Sequence, residues 1–177
     1  VCSPVSRDWS RHAHWGGYVL FDWDTFFAAV MCALEDPSLA EANLRAILQE
    51  VTPRGFVPNF GAARATSEDR SQPPVGGYCA LKVAGMSSLS GSTPAWVGEL
   101  FPSLSRWHDW WFSARDGNRD GLLEWGSDPL PSSPWYECDT IRAAMYESGL
   151  DNSPMYDEAA FNPETHTMEL ADVGLNA

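Results

Sequence analysis

The sequence predicts an all-α fold of helical hairpins joined by long, ordered connectors. Apolar residues recur at helical spacing in several segments. Serine, threonine and proline stand where those segments begin, as capping residues do. Period-two alternation never persists beyond a few residues, and 166–170 is the best strand candidate. The chain has 177 residues, 44% hydrophobic and 20% charged, a balance that argues against disorder.

Residues 1–22 read as irregular. Trp23 to Leu34 is apolar nearly all round, which predicts a buried helix, and Asp36-Pro37 stops it. Ser38 and Glu41 have capping-box spacing, so a second helix is expected from there to about Glu50. The tight turn between them makes a hairpin. Residues 51–72, with Pro53, Gly55, Pro58 and Gly61, form a connector. Pro73-Pro74 opens a third helix to about Ala84, and 85–92 is a Gly/Ser loop. Thr93-Pro94 then starts a helix to about Ala114 that carries Trp96, Leu100, Leu104, Trp107 and Trp111, completing a second hairpin. Residues 115–139 connect to a short helix from Thr140 to about Glu147, and a last helix is expected near Asp172. Long connectors are uncommon in compact domains unless they carry function. Here they hold most of the unusual polar and aromatic residues.

Lys+Arg total 11 against 24 Asp+Glu, a formal net charge of −13. Such a surface repels phosphate backbones and anionic lipid, so neither nucleic acid nor a membrane is an expected partner. No apolar run approaches the ~18 residues of a membrane span, and no secretory signal is visible. A soluble protein is expected, its compartment undetermined. The chain opens at Val1 in mid-pattern, which suggests a fragment or a processed chain. Nine tryptophans can fill a core or offer stacking platforms to the apolar faces of sugar rings. Cys2, Cys32, Cys79 and Cys138 form no CxxC or Cys/His cluster, so no zinc site is expected. His12, His14, His108 and His166 read as structural or surface residues.

Four constellations carry chemistry, and each has a bland alternative. Trp23-Asp24 at a helix start can stack a sugar ring and accept its hydroxyls, or can be a core indole beside a capping carboxylate. Asn59, Arg70 and Gln72 are polar clamps in loops, or ordinary turn residues. In the string from Asp116 to Glu124, oxygens of Asp116, Asn118, Asp120 and Glu124, with the Leu122 carbonyl, match the first nine places of a calcium loop. Place twelve is Ser127, not the bidentate Glu, so a further acidic ligand is needed; the alternative is a solvated Asp/Gly turn. Asp151 follows Gly149 and precedes Pro154 among small and apolar side chains, where desolvation raises a carboxyl pKa as a general acid requires. An Asx-turn is the alternative.

Together, in order and spacing, these strings resemble the six-hairpin glycosidases. Trp23-Asp24-Thr-Phe-Phe27, Asp116 through Ser127, and Glu147-Ser-Gly-Leu-Asp-Asn-Ser-Pro154 are similar to strings of glycoside hydrolase family 63. Gly55-Phe-Val-Pro-Asn59, Arg70-Ser-Gln-Pro-Pro74 and Glu169 to Asn176 also resemble the related trehalases. The resemblance implies an (α/α)6 toroid, of which residues 1–177 would be a partial catalytic domain, about half of the barrel. It implies inverting hydrolysis of an α-glycosidic bond in an oligosaccharide or glycoside, by two carboxyl groups ~6.5–9.5 Å apart. Asp151 matches the general acid, held in a dry pocket. Trp23, Asp24, Asn59, Arg70, Gln72, Trp125 and Gly149 match positions that line the sugar subsite. Asp116, Asn118, Asp120, Leu122 and Glu124, with Glu169 as an added ligand, match a loop that holds a structural Ca2+ in some members; no cofactor is implied for catalysis. The family's general base lies beyond the segment matching 173–176, in the C-terminal half, so that half is an expected partner and the isolated chain is expected to be inactive. Half a toroid would leave apolar helix faces uncovered at ~1.5–3 kcal/mol per large side chain, a heavy loss against a total stability of ~5–15 kcal/mol. A non-catalytic carbohydrate-binding remnant and a calcium-binding helical module are the competing readings.

Overall fold

The computed structural model describes residues 19–87, 92–130 and 138–176. Among these, six α-helices dominate. Helix α1 (Asp22–Cys32) and helix α2 (Pro37–Gln49) form the first hairpin. The α2 cap differs from the Ser38–Glu41 box. Asp36 is the N-cap, and its Oδ1 accepts from the amides of Ser38 (3.0 Å) and Leu39 (3.2 Å) and from the Ser38 hydroxyl (2.6 Å). Pro37 then occupies the first turn, where its missing N–H costs nothing. The cap bonds, the Ser38 hydroxyl first, hold the Asp36 carboxyl below its usual range.

Helix α3 (Gly76–Ser87) starts three residues later than expected, and α4 (Ala95–Ala114) begins where Thr93-Pro94 places it. Helix α3 lies against α1, and α4 lies against α2 and α3. The second hairpin thus stands beside the first, the repeating relation of a toroid. Gly76 permits that approach: a Cβ there would lie 2.6 Å from the Trp107 ring and 2.8 Å from the Phe26 ring. Those two rings stack with centroids 5.6 Å apart, and Phe56 stacks on Trp110 at 4.3 Å. Trp96, Trp107, Trp110, Trp111 and Trp125 are all buried in this core. Most of the described tryptophans are therefore packing residues.

The connectors contain strands that the sequence did not announce. Strands β1 (Val19–Phe21), β2 (Phe60–Ala62) and β3 (Ala65–Thr66) form one antiparallel sheet, with Phe21 opposite Phe60. Strands β4 (Glu124–Gly126), β5 (Phe161–Asn162) and β6 (Thr167–Ala171) form another, in the order β4-β6-β5. Only β6 matches an expectation. Strands of two or three residues are too short to show alternation, and backbone pairing rather than side-chain pattern defines them.

Helix α5 (Ile141–Ser148) is capped by the Thr140 hydroxyl, which accepts from the Ala143 amide at 3.1 Å. It ends at Gly149, in the left-handed conformation (φ 71°) that favours glycine at this place. Asp172 starts the short helix α6 (Val173–Asn176) by accepting from the amides of Gly174 (2.6 Å) and Leu175 (3.3 Å). An apolar groove of about 620 Å³ lies between α3 and α4, and Leu81 and Phe101 in its lining are 73% and 64% exposed. Among the described residues, no helix is long and apolar enough to cross a membrane. His12, His14 and Cys2 lie outside the described residues.

Candidate active site

Three connectors meet beside the start of α1. The 57–72 segment brings Asn59, Arg70 and Gln72, all buried. Arg70 donates from Nε to Asn59 Oδ1 (3.2 Å) and from Nη1 to Asp69 Oδ2 (2.6 Å), and its guanidinium lies 5.1 Å from the Tyr146 ring centre. Among the described residues, buried Gln72 Oε1 has no hydrogen-bond partner. Strand β4 brings Trp125, which is 4% exposed and meets Trp111 edge-on at 5.8 Å. The turn after α5 brings Gly149, Leu150 and Asp151.

Trp23 joins these pieces. It is half-buried at the start of α1, and a Cβ on Gly149 would stand 2.6 Å from its indole. Glycine at 149 is thus required twice, for φ and for room. A cavity of about 420 Å³ opens here, lined by Trp23, Trp125, Leu150, Tyr156 and Asp172. The Tyr156 hydroxyl donates to Asp172 Oδ2 at 2.9 Å. Burial works against ionisation of Asp172, but the polar edge of the Trp125 indole, with the bonds accepted from Tyr156, Gly174 and Leu175, outweighs that and lowers its pKa.

Two expected site residues sit differently from the dry-pocket picture. Asp24 is exposed on the outer side of the first turn of α1. Asp151 is also exposed, beside the cavity rather than in its lining. It sits in a turn with exposed Leu150 and Asn152, so the described residues cover only part of it. That partial desolvation still raises its pKa, opposed by a local backbone hydrogen bond and the charge of Arg70.

The sequence did not point to the polar centre beneath the site. Glu147 and Arg115 are fully buried and paired, Arg115 Nε to Glu147 Oε2 at 2.7 Å and Nη2 to Oε1 at 3.0 Å. Burial pulls the Glu147 carboxyl upward, while Arg115 and two backbone amides pull it back. Asp22 is buried at the start of α1, where its Oδ2 accepts from the Ser71 hydroxyl and the Gln72 amide, both at 3.2 Å. Burial pushes its carboxyl well above the usual range. The available signal was position: Glu147 shares the buried face of α5 with Ala143 and Ala144, where a charge needs a partner.

The 116–124 loop closes on itself. Asn118 Oδ1 accepts from the Asp120 amide (2.9 Å), Asp120 Oδ1 from the Leu122 amide (2.8 Å) and Asp116 Oδ1 from the Gly121 amide (3.3 Å). Glu124 Oε2 accepts from the Gly117 amide at 3.1 Å, while buried Oε1 has no partner among the described residues. Burial raises the Glu124 pKa, with Asp120 and Asp116 adding to it. Asn118, Asp120, Glu124 and Glu169 line one cavity of about 330 Å³. Leu122 is exposed outside that lining. Among the described residues, no three His, Cys, Asp or Glu side chains converge as a ready metal cluster. The orphaned Glu124 oxygen and the mutual repulsion suit a cation; the amide bonds already occupy part of the loop's oxygen capacity. His166 pairs with Asp139 at 2.8 Å and exposed His108 with Asp109 at 3.3 Å, structural and surface roles as expected.

Comparison with known proteins places this arrangement. Residues 17–175 match the profile of the mannosylglycerate hydrolase MGH1-like glycoside hydrolase domain. Mannosylglycerate hydrolases MGH1 and MGH2 of Selaginella moellendorffii are each 32% identical over 89 residues, half of this chain and 15% of theirs. The crystal structure of the family 63 mannosylglycerate hydrolase from Thermus thermophilus in complex with Tris and D-glycerate superposes with a TM-score of 0.62 at 25% identity, over 80% of this chain and 33% of that one. Its complex with glucose gives 0.63 at 23% identity, over 84% and 36%, and shows the shared fold. The chain spans about a third of these solved relatives. Its hairpins are thus part of a six-hairpin toroid, and the chain belongs to the mannosylglycerate hydrolase MGH1-like family of glycoside hydrolase domains.

Proposed function

We propose that this chain contributes the sugar subsite and the general acid of an inverting α-glycoside hydrolase whose substrate is a mannosylglycerate-like glycoside. The observation that carries the reading is the cavity between Trp23 and Trp125, with the raised-pKa carboxyl of Asp151 on the adjoining turn. A pyranose has an apolar C–H face that packs on an indole, and its hydroxyls need fixed polar partners. Those roles would fall to Arg70, Gln72 and Asn59, which are buried outside the cavity's lining, with exposed Asp24 next to Trp23 and Gly149 giving the indole its room. Asp151, proton on, would protonate the departing oxygen. A carboxylate from outside this chain would activate water on the opposite face. The names of the relatives supply the substrate class, and an α-linked glucoside is the nearest competitor.

No cofactor is needed for that chemistry. A calcium ion in the 116–124 loop would hold the loop rigid beside β4, with Asp116, Asn118, Asp120, Glu124, the Leu122 carbonyl and Glu169 as the residues that would hold it. The test is hydrolysis of mannosylglycerate by the full-length protein. Asp151→Asn should lower kcat by about 1,000-fold or more while leaving sugar binding nearly intact. Near-normal turnover by the variant overturns the assignment. One observation, the exposure of Asp151, favours a second reading, sugar binding without hydrolysis. Under that reading the full-length wild type binds the glycoside and turns none over.

A further inference from the structure

The three segments that carry the candidate site belong to different parts of the chain, and one side chain touches the backbone of two of them while belonging to the third. Glu147 Oε1 accepts from the Ser71 amide at 2.9 Å, between Arg70 and Gln72. Glu147 Oε2 accepts from the Gly126 amide at 2.6 Å, next to Trp125. Glu147 itself lies on α5, two residues before Gly149 and four before Asp151. Both oxygens also accept from Arg115, which closes the set at four bonds.

Arg115 has little freedom to move. Its Nη1 donates to Asp128 Oδ1 (3.0 Å), its Nη2 to the Asp69 carbonyl (3.2 Å), and its guanidinium lies 4.6 Å from the Trp110 ring centre. A Cβ on Gly126 would come within 2.9 Å of Arg115 Nε, so β4 passes where only glycine fits. Removing two charges from water costs so much that a buried ion pair adds little net stability. What four bonds of fixed length to one group do supply is relative position.

We propose that the Glu147–Arg115 pair is the positioning device of the candidate site: it sets the distances among the buried Arg70–Gln72 segment, Trp125 and the Asp151 turn. Glu147 touches no substrate and acts through the loops it holds. This inference rests on the hydrolase reading above, and it names the residue on which that site's geometry depends.

The test compares Glu147→Asp and Arg115→Lys in the full-length protein. Glu147→Asp keeps the charge but draws the carboxylate back by about 1.5 Å, one C–C bond. A displacement of about 1 Å can cost about 100-fold in rate. Each variant should therefore lose about 100-fold in kcat per folded molecule, and the double variant little more, because both break one device. Losses that only track the unfolded fraction, with kcat per folded molecule unchanged, overturn the inference. Should both variants fail to fold, Asp128→Asn loosens one anchor of Arg115 and leaves the bonds to Glu147 in place. It should lower kcat severalfold at full folding, and an unchanged kcat overturns the inference. Failure of the underlying reading looks different: an inactive wild type, or an active Asp151→Asn, removes both. An active wild type, an inactive Asp151→Asn and a fully active Glu147→Asp remove this inference alone.

Discussion

Replacing Gly149 by alanine perturbs the site where it has no room for a side chain. The backbone there sits at φ 71°, where an L side chain costs about 1–2 kcal/mol. The new Cβ would also stand 2.6 Å from the Trp23 indole, about 1 Å inside ordinary contact. That ring is part of the cavity wall, so the clash must move it or the turn. Overpacking of this kind costs about 1–3 kcal/mol. The two effects together predict a destabilisation of about 2–5 kcal/mol. The internal control is Gly121, with φ 87° and open space around it, where Gly121→Ala should cost only the backbone component of about 1–2 kcal/mol. Urea denaturation of both variants, followed by tryptophan fluorescence, measures the difference. Gly149→Ala should be the less stable and should weaken sugar binding. Equal destabilisation of the two variants refutes the contact argument.

Burial keeps Asp22 protonated at pH values where the unfolded chain has lost that proton, so the folded state binds more protons. Stability should fall as pH rises from about 4 towards the raised pKa, and Asp22→Asn should make that slope shallower, the raised carboxyls of Glu124, Glu147 and Asp151 keeping their share; superimposable pH profiles of stability contradict this. Gly85 lies exposed inside α3 with nothing near its missing Cβ, so Gly85→Ala should stabilise by about 0.5–1 kcal/mol, read as a higher denaturation midpoint. Calcium titration after chelation should raise the melting temperature of the wild type and not that of Glu124→Gln, whereas equal shifts place the ion elsewhere. The activity of the full-length protein should fall as pH rises through the raised pKa of Asp151, and Arg70→Met should move that fall to higher pH, because the Arg70 charge holds the pKa down.

Helices that carry caps and helix breakers were legible in the sequence. Ala114 ends α4 as expected and Thr140 caps α5, while Pro94, expected as the first helical residue after a Thr93 cap, is itself the N-cap of α4. The α2 cap went to Asp36 because a carboxylate accepting two amides and a hydroxyl outcompetes the Ser38 box, whose serine donates to it. The strands of both sheets, β6 excepted, escaped notice because their pairing is written in backbone geometry. Trp23 and Trp125, singled out from their strings, line one cavity, and Gly149 stands against the Trp23 indole, whereas Arg70 and Gln72 are buried outside that lining. The Glu147–Arg115 pair could not, because its partners at Ser71 and Gly126 are amides, and amides leave no mark in a sequence.

The proposed hydrolysis depends first on Asp151 donating a proton to the leaving oxygen. Its measure is the dependence of the Asp151→Asn defect on the leaving group, assayed with the full-length protein. The aryloxide of an activated aryl glycoside departs without a proton, so the variant should retain most of its rate there and lose about 1,000-fold or more on mannosylglycerate, whose alkoxide leaving group needs one. Equal losses on both substrates contradict a proton-donating Asp151.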